Sequence, residues 1–244
     1  MCIFSARRGG LVVARTRIYA RVERDRQHLA YAMQLASSED VAMILPVPVT
    51  ARSSEDAMTF VDLSSYPTLF DELSALFPAP QPAFARNRPL AGEHVAKLVV
   101  HEVGAFEASF VPTLADFARL DPRFRLPDAV WAQLPQHADW GFAVFQLRRG
   151  DAKVHPMAFH FPTRDPSRVF FPTVHVHDGA VHERAHFDHE LYWQGPQAPH
   201  PTDSTSPATV PPHMVAHSTG LLLPTLVRRR VMRGEHANAD TWIG

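Results

Sequence analysis

Residues 29–35 (LAYAMQL) alternate: Leu29, Tyr31, Met33 and Leu35 are large and apolar, and the residues between them are small or polar. That is the two-residue period of a half-buried strand. Further along, in 66–77 (YPTLFDELSALF), the period changes. Tyr66, Leu69, Phe70, Leu73, Leu76 and Phe77 recur as one face of a helix, with Ser65 as the expected N-cap and Pro78 as the stop. Strand first and helix second, this change of period decides the fold class.

The same reading extends in both directions. Residues 11–22 are apolar and β-branched with a basic tint, and 58–63 form a further short strand. Residues 41–49 (VAMILPVPV) are strongly apolar, but Pro46 and Pro48 cannot donate to a ladder, so the second half of that run belongs at a sheet edge or leaving the sheet. Residues 78–94 are Pro-rich and aperiodic and read as a connector. Beyond it the plan repeats. Two strands flank Gly104. Thr113 caps a short helix with Asp116 at the capping-box position, and 127–134 form a second. Strands follow at 140–147, 155–161 and 168–177. A polar, Pro-rich loop spans 195–212, and 221–234 is expected to dock back as a helix whose end carries Arg228, Arg229 and Arg230. The order indicates an α+β protein, mainly antiparallel sheet with a few short helices, and is compatible with two similar halves packed together. The segments are then 1–77, the connector 78–94, 95–194 with the histidines, and 195–244.

Composition narrows the function classes. The chain has 244 residues, 45% of them hydrophobic, enough for a packed core and too apolar for disorder. With 24 basic and 25 acidic residues there is no field to recruit nucleic acid or an anionic membrane. No run is long enough to span a bilayer, the first ten residues hold no apolar signal core, and a single Cys suits a reducing compartment. A cytoplasmic protein is expected. Neither a phosphate-binding loop, a dinucleotide fingerprint nor a nucleophile elbow is present in the sequence.

The 15 histidines are the anomaly. His155, His160, His175, His177, His182, His186 and His189 crowd into one stretch of 35 residues, where even scatter would place about two. In 170–179 (FFPTVHVHDG) His175 and His177 fall two apart and project from one side of a strand, and Asp178-Gly179 signals a hairpin that returns antiparallel. Paired imidazoles of this kind form half of a transition-metal site. His186, His189 or His155 would complete it, with Asp188 in support. The same histidines also fit a structural reading, as surface residues of a hairpin or core residues bonded to backbone.

Cys2 is the second anomaly. With Met1 removed it becomes the N-terminus, where its own amine could serve as base to its thiol, the arrangement of N-terminal nucleophile hydrolases. Arg15 and Arg17 are available as partners. Alternatively the thiolate joins the imidazoles as a soft metal ligand, or Cys2 packs as a small core residue.

Cys2-Ile3-Phe4, residues 17–20 (RIYA), 29–31 (LAY), 42–48 (AMILPVP) and 69–73 (LFDEL), with 101–111 (HEVGAFEASFV) and 140–147 (WGFAVFQL), resemble an uncharacterised bacterial domain family. Its members carry a Cys-rich start after a signal peptide, an LPVP strand and an LFD-type helix. The present chain keeps one Cys, lacks the signal peptide and adds the His-bearing stretches. The resemblance implies a shared fold and a functional N-terminal Cys, and it carries no activity.

The leading expectation is a soluble bacterial metalloenzyme, an oxidoreductase or hydrolase. One copper, iron or zinc ion would be held by His175, His177 and one or more of His186, His189 and His155, with Cys2 as ligand or catalytic thiol. The substrate would be a small molecule or peptide, with no nucleic-acid or membrane partner, and the oligomeric state stays open. The alternatives are a metal-free amidohydrolase using Cys2, and a non-catalytic binding domain.

Overall fold

The structure, a computed structural model, describes residues 3–5, 11–77, 101–102, 106–196, 203 and 206–244. The connector 78–94, Gly104 and Cys2 lie outside the described residues. In chain order the first elements are β1 (Ile3–Phe4), β2 (Leu11–Glu23), β3 (Arg26–Ser37), β4 (Val41–Val47), β5 (Thr59–Val61) and α1 (Leu69–Ala75). Next come β6 (His101–Glu102), β7 (Glu107–Val111), 3-10 turns at Leu114–Arg119, Pro122–Phe124 and Pro135–His137, and α2 (Asp128–Trp131) between the last two turns. The chain ends with β8 (Gly141–Leu147), β9 (Gly150–Pro162), β10 (Val169–Phe171), β11 (Arg184–Gln194), β12 (Ala208–Thr209), α3 (Pro212–His217), β13 (Leu226–Ala237) and β14 (Thr241–Ile243).

The α+β class holds. A large sheet runs in the order β12-β13-β11-β2-β3-β9-β5, with β6 also beside β9. A smaller one runs β1-β4-β8-β7, and β10 and β14 form a ribbon. Pairing is antiparallel except between β11 and β2 and between β6 and β9. Both sheets draw strands from either side of the connector.

Alternation along the strands sorts side chains into layers. Leu29, Tyr31, Met33 and Leu35 of β3 face the core between the sheets, with Met43 and Leu45 of β4 and Phe145 of β8 opposite. Ala30 and Ala32 turn the other way, under Leu69, Phe70 and Leu73 of α1 and Met214 of α3. The far side of the small sheet, Ala42, Ile44, Phe142 and Val144, is covered by Phe117, Val130, Trp131 and Leu134. Four layers result. Strands covered on both faces need apolar residues on both, which is why β4 is an unbroken apolar run. Pro46 is paired with Phe142 of β8, while β1 reaches only Met43 and Ile44, so β4 is an edge where the proline sits.

Several expectations are corrected. The helix after Tyr66 starts at Leu69 with Thr68, not Ser65, at its N-cap. Thr113 caps no backbone N–H, because its hydroxyl donates to Asp116 Oδ2 at 2.7 Å instead. The hairpin at Asp178-Gly179 does not form, since β11 pairs with β13 and β2 rather than with 168–177. Residues 226–237 are a strand, not a helix, because β11 offers ten register partners. The arginine run is therefore no solvated helix end. Arg230 is buried and its Nε donates to Asp203 at 2.5 Å, Arg229 lies over the Phe77 ring, and Arg228 donates to the Gly195 carbonyl.

The C-terminal ribbon is anchored by one carboxylate. Asp240 Oδ1 accepts the backbone N–H groups of Thr173 and Val174, and Oδ2 meets Nε2 of fully buried His137 at 2.7 Å. Removing it would leave three buried groups without a partner. Asp240→Ala should lower unfolding stability by about 3 kcal/mol and Asp240→Asn by less, because the amide oxygen still accepts. Urea denaturation followed by tryptophan fluorescence measures both.

Candidate functional site

Parallel pairing of β2 with β11 begins at Thr16 opposite His189 and ends at Arg21 opposite Gln194. On the N-terminal side of that start the two strands part. Leu11 to Ala14 pair with β3 alone, and Arg184 to Asp188 pair with β13 alone. Among the described residues no strand fills the fork.

The parting has a local cause. Arg15 and Thr16 stand together opposite Met33, a β-bulge, and Arg15 takes φ +53°, the left-handed region. Its N–H is received at 2.6 Å by Asp188 Oδ2. One strand over, His155 and Pro156 stand opposite Ala32, a second bulge at the same level, where the proline has no N–H to offer.

The fork opens onto a groove of about 760 Å³ whose lips are Arg15, Arg17, Asp188 and Glu190, with Asp71 of α1 and Arg233 of β13 beside them. Most of these charges are engaged. Arg17 donates to Asp71 at 2.5 Å, and Glu190 accepts the Tyr192 hydroxyl at 2.5 Å and lies 3.8 Å from Arg233. The guanidinium of Arg15 is exposed and meets no partner among the described residues. Three buried polar atoms of the lips, Thr16 Oγ1, Arg17 Nε and Asp188 Oδ1, have no hydrogen-bond partner there either. The sequence flagged Arg15 and Arg17 for another purpose. Nothing in it signals that Arg15 bends the strand.

On the opposite face of the sheet the histidines gather differently than expected. His175 and His177 do project to one side, with Val174 and Val176 packed into the outer layer behind them. Asn238 holds that segment in place, its Oδ1 accepting from His175 N–H and its Nδ2 donating to the His175 carbonyl. The rings then stack. His175 and His177 lie 5.5 Å apart at 7°, His175 and His189 5.2 Å apart at 22°, and His175 and Phe187 4.3 Å apart at 23°. Phe4 closes the far end against His177.

The Nε2 atoms of His175 and His189 have no hydrogen-bond partner among the described residues. His186 is exposed, 3.5 Å from Glu235, and His155 packs against Phe106 at 4.6 Å, away from the stack. Asp188 points its carboxylate at the Arg15 amide rather than supporting a ligand. Among the described residues no three His, Cys, Asp or Glu side chains form a group that could hold a metal. Cys2, the expected soft ligand or catalytic thiol, lies outside them. No helix among the described residues is long and apolar enough to cross a membrane.

The fold is similar to that of baculovirus P35. Its crystal structure is 12% identical to this chain, covering 96% of this chain and 97% of that one at a TM-score of 0.50, which is a likeness of fold. A mutated baculovirus P35 after caspase cleavage is 12% identical over 95% and 99% of the two chains, with a TM-score of 0.48. P35 in a caspase-8/P35 complex is 12% identical over 95% and 96%, with a TM-score of 0.44. No family model matches the chain, and no curated protein sequence does. Among the described residues the ligand group that the metalloenzyme expectation requires is missing, and that overturns the expectation.

Two outcomes follow from the geometry of the site. Arg15→Gly should stabilise the chain by about 0.5 to 1 kcal/mol, because glycine adopts a positive φ without a Cβ clash; urea midpoints test it. Burial holds the His175 ring neutral, its pKa pushed down to about 2, and His177 beside it pushes the same way. Burial and then Arg21 lower that of His28 to about 4. Below about pH 6.5 the unfolded chain takes up protons that the folded chain does not. Stability should therefore fall as pH drops from 7 to 4, and His175→Phe, which keeps the ring stack, should flatten that slope.

Proposed function

We propose that this chain is a non-catalytic protein-binding module, the role that stood beside the metalloenzyme as an alternative. The observation that carries it is the extent of the fold likeness to baculovirus P35, which runs through nearly the whole of both chains. The groove supports it from the side of chemistry. Its lips are strand edges and engaged ion pairs, a surface suited to polypeptide. The histidines that would have supplied catalytic chemistry instead pack a core.

P35 has been solved with caspase-8, so caspase-8 is the first partner to try. Purified full-length chain mixed with caspase-8 should co-elute with it in size-exclusion chromatography and reduce its peptidase activity. Separate elution with full activity at micromolar concentration removes the caspase. If the peptide experiment below is negative as well, the binding-module reading falls.

A further inference from the structure

Resting on the protein-binding reading, we propose that the fork between β2 and β11 recognises an extended segment of the partner, which adds as a strand along residues 11–14 and sets an acidic side chain against Arg15. The backbone argument comes first. Among the described residues Leu11 to Ala14 are hydrogen-bonded in register to β3 on one side only, and Arg184 to Asp188 to β13 on one side only. An edge of this kind is a template for another strand. Four residues of it span about 13 Å, the reach of a short extended peptide.

The edge is also apolar. Val12 is 62% exposed, and Leu11 and Val13 are half-buried. No charge interrupts 11–14. At the point where the ladder stops, the Asp188 carboxylate takes the position a strand carbonyl would hold, accepting the Arg15 N–H at 2.6 Å. Its second oxygen, the Arg17 Nε and the Thr16 hydroxyl remain without partners among the described residues. Thr16 is completely buried at the root of the fork. The left-handed Arg15 stores backbone strain at this spot, a cost that persists where the geometry is used.

Charge selects the occupant. Arg17 is matched by Asp71, and Glu190 lies between Tyr192 and Arg233, so among the described residues the cation at the mouth without an acidic partner is the Arg15 guanidinium. A carboxylate side chain on the incoming strand completes it. A chain of net charge −1 offers no general attraction for acidic polymers, so selectivity for an acidic residue must be local.

The probes are fluorescein-labelled peptides of about eight residues that alternate Val and Thr around a central Asp, and the same peptides with a central Lys. Fluorescence polarisation with the full chain reads affinity, and hydrogen–deuterium exchange reads location. The Asp peptide should bind about tenfold more tightly than the Lys peptide. At saturation it should slow amide exchange in 11–15 and 184–188. Arg15→Gly keeps the positive φ and removes the cation, so it should fold normally by circular dichroism and lose about that same factor. Equal binding of both peptides, binding of neither, or protection confined to other segments overturns the proposal. So does a concentration-dependent dimer that protects 11–15 without peptide, which would make a second copy the occupant. These outcomes do not depend on caspase-8. A failed caspase complex with a positive peptide result removes that partner and leaves the groove.

Discussion

Six parallel residue pairs between β2 and β11 hold the large sheet together, and most of the molecule hangs from them. They join the N-terminal hairpin of β2 and β3 to the C-terminal pair β11 and β13, residues such as Tyr19 and Gln194 that lie 175 positions apart. Closing so long a loop costs entropy that local contacts cannot return. The return comes from both faces of the seam. Toward the inter-sheet core Ile18, Ala20, Leu191 and Trp193 are buried together. On the other face the Tyr19 hydroxyl donates to Gln194 at 2.6 Å, and the Arg21 guanidinium donates to the carbonyls of Leu221 and Gly220. Those bonds also fix the loop before β13, so the seam sets where the last strand of the sheet can lie.

The same seam explains why two unusual features share one level of the sheet. Pairing ends at His189, and neighbouring residues of a strand point to opposite faces. His189 therefore turns into the end of the core, where it meets His175 and Phe187, while Asp188 turns to the outer face and caps the bulge at Arg15. The core end is filled by imidazoles packed as flat aromatic groups. They satisfy packing at the cost of unpartnered ring nitrogens, both of which are buried in His189.

Fold class and most strands were legible in the sequence because alternation is a local signal. β2, β3, β4 and β8 overlap the runs read at 11–22, 29–35, 41–49 and 140–147. What failed was whatever depended on a distant partner. The segment 226–237 has helix-compatible arginines and an aliphatic start, and it becomes a strand only because β11 lies beside it. Asp178-Gly179 has the composition of a hairpin turn, yet the return strand is claimed by β13 and β2. The histidines were found correctly as a spatial group, since His175, His177 and His189 do meet. Spacing reports which side a ring leaves the backbone from and not how the ring nitrogens are placed, and among the described residues they do not join into a group that could hold a metal. The bulge at Arg15 has no sequence signature, because its cause is the register of three strands at once.

Sheet edges show why the fork stands apart from the rest of the surface. A free edge invites association, and proteins usually keep such edges short or charged. Here β5 has three residues and β12 two. The outer part of β13 carries Arg233, Glu235 and His236. Residues 11–14 obey neither rule: they are apolar, part of a strand of 13 residues, and end at a strained arginine instead of a proline or lysine. Among the described residues the bulge at Arg15 and the Asp188 carboxylate that accepts its N–H mark where the parallel seam stops, and beyond them each strand keeps one edge unpaired.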